Sequence, residues 1–177
     1  MQFEILNRHL LFEGKVFNVE RVNARLPDNR VADYDLVIHH GSVTIVPFDT
    51  DGNLWFVEQY RLGAEKVLLE LPAGVIESGE APEDCARREI REETGMAATT
   101  LKKLGEMYLA PGYSTELMSV YLATGIYPAP LKADSDEFLR TKKIPALQVF
   151  EMATSGKIED SKTLAALLMA QPDLLNI

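Results

Sequence analysis

The segment from Pro82 to Gly95 can fold into little other than a single helix. Proline suits the first helical position, where its missing N–H costs nothing, and glycine suits the residue just past the last turn. Glu83 and Asp84 fall in the first turn, where carboxylates meet the positive end of the helix dipole. The interior then gathers acids in the run Arg88-Glu89-Ile90-Arg91-Glu92-Glu93-Thr94. At roughly 100° per residue, Glu92 lies about 60° to one side of Glu89 and Glu93 about 40° to the other, so three carboxylates share one arc. Like charges at these spacings destabilise an isolated helix by roughly 0.2–0.5 kcal/mol per pair. Arg88, next to Glu92 on the wheel, offsets part of that. Such an arc is either a solvated acidic face or a ligand set for a hard cation, because Mg2+ takes oxygen ligands and bridges to substrate phosphates.

The rest of the chain reads mostly as short strands. Val16 to Val22 and Asp35 to His39 are β-branched runs separated by the turn residues Pro27-Asp28-Asn29. Ser42 to Pro47, the turn Asp51-Gly52-Asn53 and Leu54 to Gln59 read as a hairpin. Further strands are expected at Lys103 to Leu109, Leu117 to Thr124 and Phe138 to Lys142. Two more helices are expected. One runs from near Pro145 to Gly156; the other runs from Lys162 to Ala170, capped by Asp160-Ser161 and stopped before Pro172. Many strands with three scattered helices imply an α/β chain, a mixed sheet sandwiched by helices. The strands of residues 1–40 form a separate small sheet in this reading.

A chain of 177 residues suits one compact domain with a small appendage. The expected division is an N-terminal strand arm, residues 1–40, and a main domain, residues 41–177. No apolar run approaches the roughly 20 residues that span a bilayer, and Met1-Gln2-Phe3-Glu4-Ile5 lacks the pattern of a signal peptide. With Cys85 as the single cysteine, a reducing cytoplasm is the expected location and no membrane partner is expected. Eighteen Lys and Arg against 27 Asp and Glu leave a net charge of −9 without a basic cluster, which argues against a nucleic-acid partner. If the substrate is phosphorylated, something other than basic side chains must offset the repulsion. Clustered acids holding a divalent metal would do so.

The spacing outside the helix supplies the sharper signal. Gly74, five residues, Glu80, seven residues, Arg88-Glu89, aliphatic Ile90, one residue, Glu92-Glu93, one residue, Gly95 and apolar Met96 match every position of the Nudix hydrolase box. At typical residue usages, a chance match at a given start is below about 10⁻⁸. The chain therefore resembles the Nudix hydrolases, and the resemblance implies an α/β/α sandwich with a mixed sheet plus a small N-terminal antiparallel sheet. It also implies metal-assisted attack of water on the diphosphate of a nucleoside diphosphate linked to another group. By resemblance, Glu89, Glu92 and Glu93 bind Mg2+, with Mn2+ as a substitute, and the Ala73 carbonyl is a backbone ligand. Arg88 orients the acids, Glu80 braces the loop, and Gly74 permits a close turn that brings a strand end and the helix into one pocket.

Residues beyond the box resemble ADP-ribose pyrophosphatases and related nucleotide-sugar pyrophosphatases. Pro111 lies sixteen positions after Gly95, in Pro111-Gly112-Tyr113-Ser114-Thr115-Glu116. Glu58-Gln59-Tyr60-Arg61, Glu70-Leu71-Pro72-Ala73-Gly74 and Gly156 to Thr163 agree with the same group. By matched position, Arg61 meets substrate phosphate, Glu116 accepts from the distal ribose, and Pro111-Gly112 shape the substrate loop. On residue type alone, Arg61 is equally a surface ion pair and Pro111-Gly112 a tight turn. Cys85 reads as a packing residue rather than a nucleophile.

Two departures from the group stand out. Glu137 matches an acid that supplies a further metal ligand, yet Ser135 stands where some relatives place a basic Glu. The proton therefore goes to Asp134, Asp136 or Glu137, or the activated water needs no side-chain base. Near Tyr34-Asp35-Leu36, where such enzymes often grip adenine across a dimer, Leu36 has no hydrogen-bonding side chain. The leading expectation is a homodimer, joined through its N-terminal strands, that cleaves ADP-ribose to AMP and ribose 5-phosphate. A GDP- or UDP-hexose is the alternative substrate. A non-catalytic nucleotide-sugar sensor is a weaker alternative, since it predicts eroded metal ligands and Glu89, Glu92 and Glu93 are all present.

Overall fold

The computed structural model describes residues 2–132 and 138–175. The acid-rich loop containing Asp134, Ser135, Asp136 and Glu137 lies outside the described residues. The chain divides into two compact units, Met1–Gly41 with Tyr108–Leu117, and Ser42–Met107 with Met118–Ile177.

The first unit is a three-stranded antiparallel sheet in the order β1 (Glu4–Glu13), β2 (Asn18–Arg25), β3 (Val31–Ile38). Cross-strand ion pairs fix its register. Arg21 faces Asp35 at 2.8 Å, Arg25 faces Glu4 at 2.5 Å and Arg8 reaches diagonally to Glu20 at 2.9 Å, the opposite-charge pairing that favours one alignment over a slipped one. Every residue of β1 is exposed, including Ile5, Leu6, Leu10, Leu11 and Phe12. The segment Tyr108–Leu117 belongs here because the Val37 N–H donates to the Tyr113 carbonyl at 2.7 Å and the Thr115 N–H donates back to the Val37 carbonyl at 3.0 Å.

The second unit contains a four-stranded mixed sheet in the order β7 (Ala73–Val75), β4 (Ser42–Pro47), β9 (Leu117–Pro128), β8 (Met96–Tyr108). β4 runs parallel to β9 and antiparallel to β7. All six residues of β4 are buried, as expected of a central strand covered on both faces. Its alternation assigns the layers. Val43 and Ile45, with Tyr121 and Ala123 of β9, pack on Cys85, Ala86 and Ile90 of α1 (Pro82–Thr94). Val46, with Val120 and Leu122, packs in the opposite layer with residues of α2 (Ala146–Thr154) and α3 (Ser161–Leu174) and with Leu54 and Phe56 of β5 (Asn53–Arg61). β5 is the middle strand of an antiparallel sheet in the order β10 (Arg140–Pro145), β5, β6 (Lys66–Glu70), so the expected hairpin of Ser42 to Pro47 with Leu54 to Gln59 does not form: the chain turns back at the single bridge Phe48–Leu54, and β4 and β5 then part into different sheets. The architecture is thus a helix–sheet–helix α/β sandwich with a small antiparallel N-terminal sheet.

Several boundaries differ from the sequence reading. α3 does not stop before Pro172 but continues through it to Leu174. Proline in the last turn disturbs few intrahelical bonds, and buried Ala170 and Leu174 hold that turn in the core. β8 begins at Met96, immediately after the helix, rather than at Lys103. β1 and β7 were not distinguished by pattern, because β1 buries no face and β7 is three residues long.

Candidate functional site

α1 spans the residues its punctuation predicts. Pro82 occupies the first position and Gly95 ends the helix in the left-handed conformation, φ 72°, with its N–H on the Arg91 carbonyl. The face turned inward is chemically mixed: Cys85, Ala86, Ile90 and Thr94 are buried, and so are Glu89 and Glu93, at 7% and 6% exposure. Burying ionised carboxylates is costly unless they are paired and hydrogen-bonded. The Ala73 N–H donates to Glu93 Oε2 at 2.9 Å. Arg88 Nη1 donates to Glu89 Oε1 at 2.5 Å and to Glu92 Oε2 at 3.0 Å.

Arg88 is also gripped from the loop before the helix. Its Nε and Nη2 donate to the two carboxylate oxygens of Glu80, each at 2.9 Å, and Nη2 donates to the Val75 carbonyl at 3.2 Å. Glu80 in turn accepts from the Glu77 N–H at 3.0 Å, closing the loop. Glu80 therefore does brace the loop, and the Arg88 hydrogen bonds hold its carboxyl down to about 2 against the smaller upward push of burial. The same Glu80 hydrogen bonds raise the Arg88 guanidinium, opposed by burial and aided by Glu89 and Glu92. One guanidinium thus serves three carboxylates: Glu80, Glu89 and Glu92.

Gly74 differs from its expected role. It lies within β7 rather than at a turn, and its backbone is not left-handed. Its importance is clearance. A Cβ placed there would lie 1.9 Å from Glu89 Cδ and Oε1 and 2.5 Å from Oε2. The strand and the helix therefore approach so closely that Glu89's carboxylate occupies the volume of the missing side chain.

These groups suit a hard divalent cation. The donors are carboxylate oxygens, Arg88 is shared among three acids, and the Gly74 cradle holds Glu89 beside the strand that also anchors Glu93. Among the described residues, no three His, Cys, Asp or Glu side chains stand converged as a finished cage. Arg88 Nη1 bridges Glu89 and Glu92, so bringing these acids round a cation requires that guanidinium to yield.

Arg61 ends β5 and has its side chain 42% exposed. Its Nε and Nη2 donate to Glu70 Oε1 and Oε2 at 2.8 and 2.7 Å. That bidentate contact raises the Arg61 guanidinium, with burial opposing and the charges of Glu70, Glu93 and Asp160 adding. Glu70 is 1% exposed and also accepts from Lys162 of α3. Burial pushes the Glu70 carboxyl up, but Arg61 and Lys162 outweigh it and leave it below the ordinary range. Sequence alone assigns no role to Glu70 or Lys162. The only signal was that each belongs to a run shared with one group of enzymes.

Pro111, Gly112 and Glu116 belong to the first unit, in the loop whose Tyr113 and Ser114 N–H groups both donate to the Ala110 carbonyl, at 3.0 and 2.8 Å. The Glu116 N–H donates to Ser114 Oγ at 3.2 Å. Cys85 is fully buried and burial pushes its thiol up, aided by the charge of Glu80, which suits packing and not nucleophilic attack. Gln59 Oε1 is buried and, among the described residues, has no hydrogen-bond partner.

Comparison with known proteins places the chain among its relatives. Residues 38–167 match the NUDIX domain family model. An ADP-ribose pyrophosphatase of Bacillus subtilis (strain 168) is 30% identical over 173 residues, 97% of this chain and 94% of that protein. A GDP-mannose pyrophosphatase of Yersinia enterocolitica is 30% identical over 143 residues, 75% of this chain and 73% of that protein. A crystal structure of an ADP compounds hydrolase superposes with a TM-score of 0.87 at 25% identity, covering 99% of this chain and 96% of the other.

Proposed function

Because the chain belongs to the Nudix hydrolase family, we propose that it hydrolyses the diphosphate bond of ADP-ribose to AMP and ribose 5-phosphate, using Mg2+ or, in its place, Mn2+. The observation that carries this reading is the buried pair Glu89 and Glu93, one seated in the Gly74 gap and one on the Ala73 N–H, with Arg88 shared beside them. Glu89, Glu92, Glu93 and the Ala73 carbonyl would hold the ion, and Glu137 would be a further ligand. Bound there, a divalent ion neutralises the phosphates and acidifies a water molecule. Arg88 sets the geometry of the acids, and Glu80 keeps Arg88 in place. Arg61 meets the phosphates, a cationic contact in a chain of net charge −9. Glu116 accepts from the distal ribose, and Pro111-Gly112 hold that loop in its turn.

A second reading keeps the mechanism and changes the base or sugar. Leu36 pairs opposite Glu20 in the N-terminal sheet and offers adenine no side-chain hydrogen bond, and one similar protein is a GDP-mannose pyrophosphatase. The N-terminal sheet supports a homodimer as well. Phe3, Ile5, Leu10, Leu11, Phe12 and Val16 are each about half exposed, more apolar surface than a lone three-stranded sheet normally leaves to water. No described helix is long and apolar enough to cross a membrane, and the lone cysteine is in keeping with our assignment to the cytoplasm.

Incubating the purified chain with Mg2+ and a panel of ADP-ribose, GDP-mannose and UDP-glucose tests the proposal. Release of AMP from ADP-ribose as the fastest reaction supports it. Faster release of GMP or UMP selects the second reading, and inertness towards the whole panel removes both.

A further inference from the structure

Lys162 is a lysine that the proposed chemistry leaves without a task, yet it is 9% exposed and wedged between acids. Its Nζ meets Glu70 Oε2 and, at 2.9 Å, Asp160 Oδ2. Asp160 also caps α3, accepting at Oδ2 from the Thr163 N–H at 3.0 Å and its hydroxyl at 2.6 Å. Thr163 Oγ1 then accepts from the Leu71 N–H at 2.9 Å, so both Glu70 and its chain neighbour are fastened to the start of α3. Glu70 uses both oxygens on Arg61. A continuous run of charged contacts therefore leads from the helix terminus, through a carboxylate removed from solvent, to the guanidinium assigned to substrate phosphate.

We propose that Lys162 is a positioning residue that fixes Arg61 through Glu70 and sets how tightly substrate phosphate is held. The proposal rests on the phosphate role given to Arg61 above. Two effects support it. The first is geometric: an arginine side chain has many rotamers, and a bidentate carboxylate selects one, but only if that carboxylate is itself immobile. Lys162 supplies the second cation that pins Glu70. The second effect is charge. Glu70 and Asp160 carry two negative charges and Lys162 and Arg61 two positive, so the group is balanced. Without Lys162 it turns net negative, and the acids cancel the attraction that Arg61 offers a polyanion. Glu93, whose charge already acts on Arg61, makes that loss harder to absorb.

A plain latch between α3 and β6 would produce the same contacts, so the test must separate stability from substrate affinity. With the cleaved nucleotide sugar as substrate and Mg2+ saturating, Lys162→Met is expected to raise KM on the order of tenfold, the scale of one charged hydrogen bond, with kcat little changed. Lys162→Arg is expected to recover most of the loss. In an Arg61→Met background, where KM is already high, adding Lys162→Met is expected to have no further effect on KM. Asp160→Asn keeps a capping oxygen for α3 and leaves Lys162 on Glu70 while removing a negative charge, so KM is expected to stay at or below the wild-type value. If Lys162→Met does not fold, judged by circular dichroism, Asp160→Asn still decides, because a tenfold rise in its KM overturns the proposal. Independent, multiplicative effects of Lys162→Met and Arg61→Met on KM would overturn the positioning role alone. An unchanged KM in Arg61→Met would overturn the phosphate role of Arg61 and the proposal together.

Discussion

Gly74→Ala separates a catalytic reason for glycine from a conformational one. Gly74 is not among the glycines with positive φ, so alanine fits its backbone, and in a strand the exchange by itself stabilises by roughly 0.5–1 kcal/mol. Against this stands a Cβ only 1.9 Å from Glu89 Cδ and Oε1. Ordinary contact is about 3.5 Å, so the carboxylate must retreat by roughly 1.5 Å. What moves is the end of a flexible side chain, at a rotamer cost of about 1 kcal/mol and with the loss or bending of its Arg88 hydrogen bond, worth about 1.5–3 kcal/mol. The net destabilisation is about 1.5–3.5 kcal/mol, a Tm drop of roughly 3–14 °C for a chain of this size. The effect on turnover is far larger, because a ligand misplaced by about 1 Å costs on the order of 10²-fold. The assay pairs thermal unfolding with kcat/KM for the best nucleotide sugar at saturating Mg2+. A folded Gly74→Ala protein whose kcat/KM stays within about threefold of wild type would refute the reasoning, because Glu89 would then have no need of its present place.

Three other outcomes are expected. Glu93→Gln keeps size and the acceptor for the Ala73 N–H but removes a ligand charge, so kcat should fall by orders of magnitude while the melting temperature holds or rises; steady-state kinetics and calorimetry check both. Glu80 has its folded value lowered from 4.5 to about 2, so its contribution is present above pH 4.5 and is lost as pH falls towards 2. Discounted for its place near the surface, that contribution is about 1–2 kcal/mol, and Glu80→Gln should therefore lose stability at pH 6 but match wild type near pH 2, as denaturant titrations at the two pH values would show. Cys85, buried with its thiol pushed up, should resist alkylation by iodoacetamide in the native chain at pH 8 and react on unfolding, which mass spectrometry reads directly.

The parts legible in the sequence were those fixed by local rules. Pro82 and Gly95 bounded α1, and the helical wheel correctly put Glu89 and Glu93 on one side, where both are buried with Ile90 and Cys85. Ser42 to Pro47 and Leu117 to Thr124 were legible as strands but not as neighbours: they lie side by side and parallel, a pairing across some 70 residues that displaces the local hairpin expected with Leu54 to Gln59. What escaped depends on distant neighbours. Gly74 needs no special backbone angle, so only the approach of a helix fifteen residues later explains it. Glu70 and Lys162 lie 92 positions apart, and no periodicity links them. β1 was invisible to alternation because neither of its faces is buried within one chain. Pro172 sits inside α3, contrary to its usual meaning, because the core contacts of Ala170 and Leu174 outweigh a local preference.

The proposed hydrolysis requires that the glutamates of α1 hold a divalent cation. Electron paramagnetic resonance titration of Mn2+ into the wild-type chain and into the Glu89→Gln/Glu93→Gln double variant measures this without reference to substrate. A bound signal in the wild type, competed away by Mg2+ and weakened at least tenfold in the folded double variant, is the predicted result. Equal Mn2+ affinity in the two proteins would show that Glu89 and Glu93 do not hold the ion.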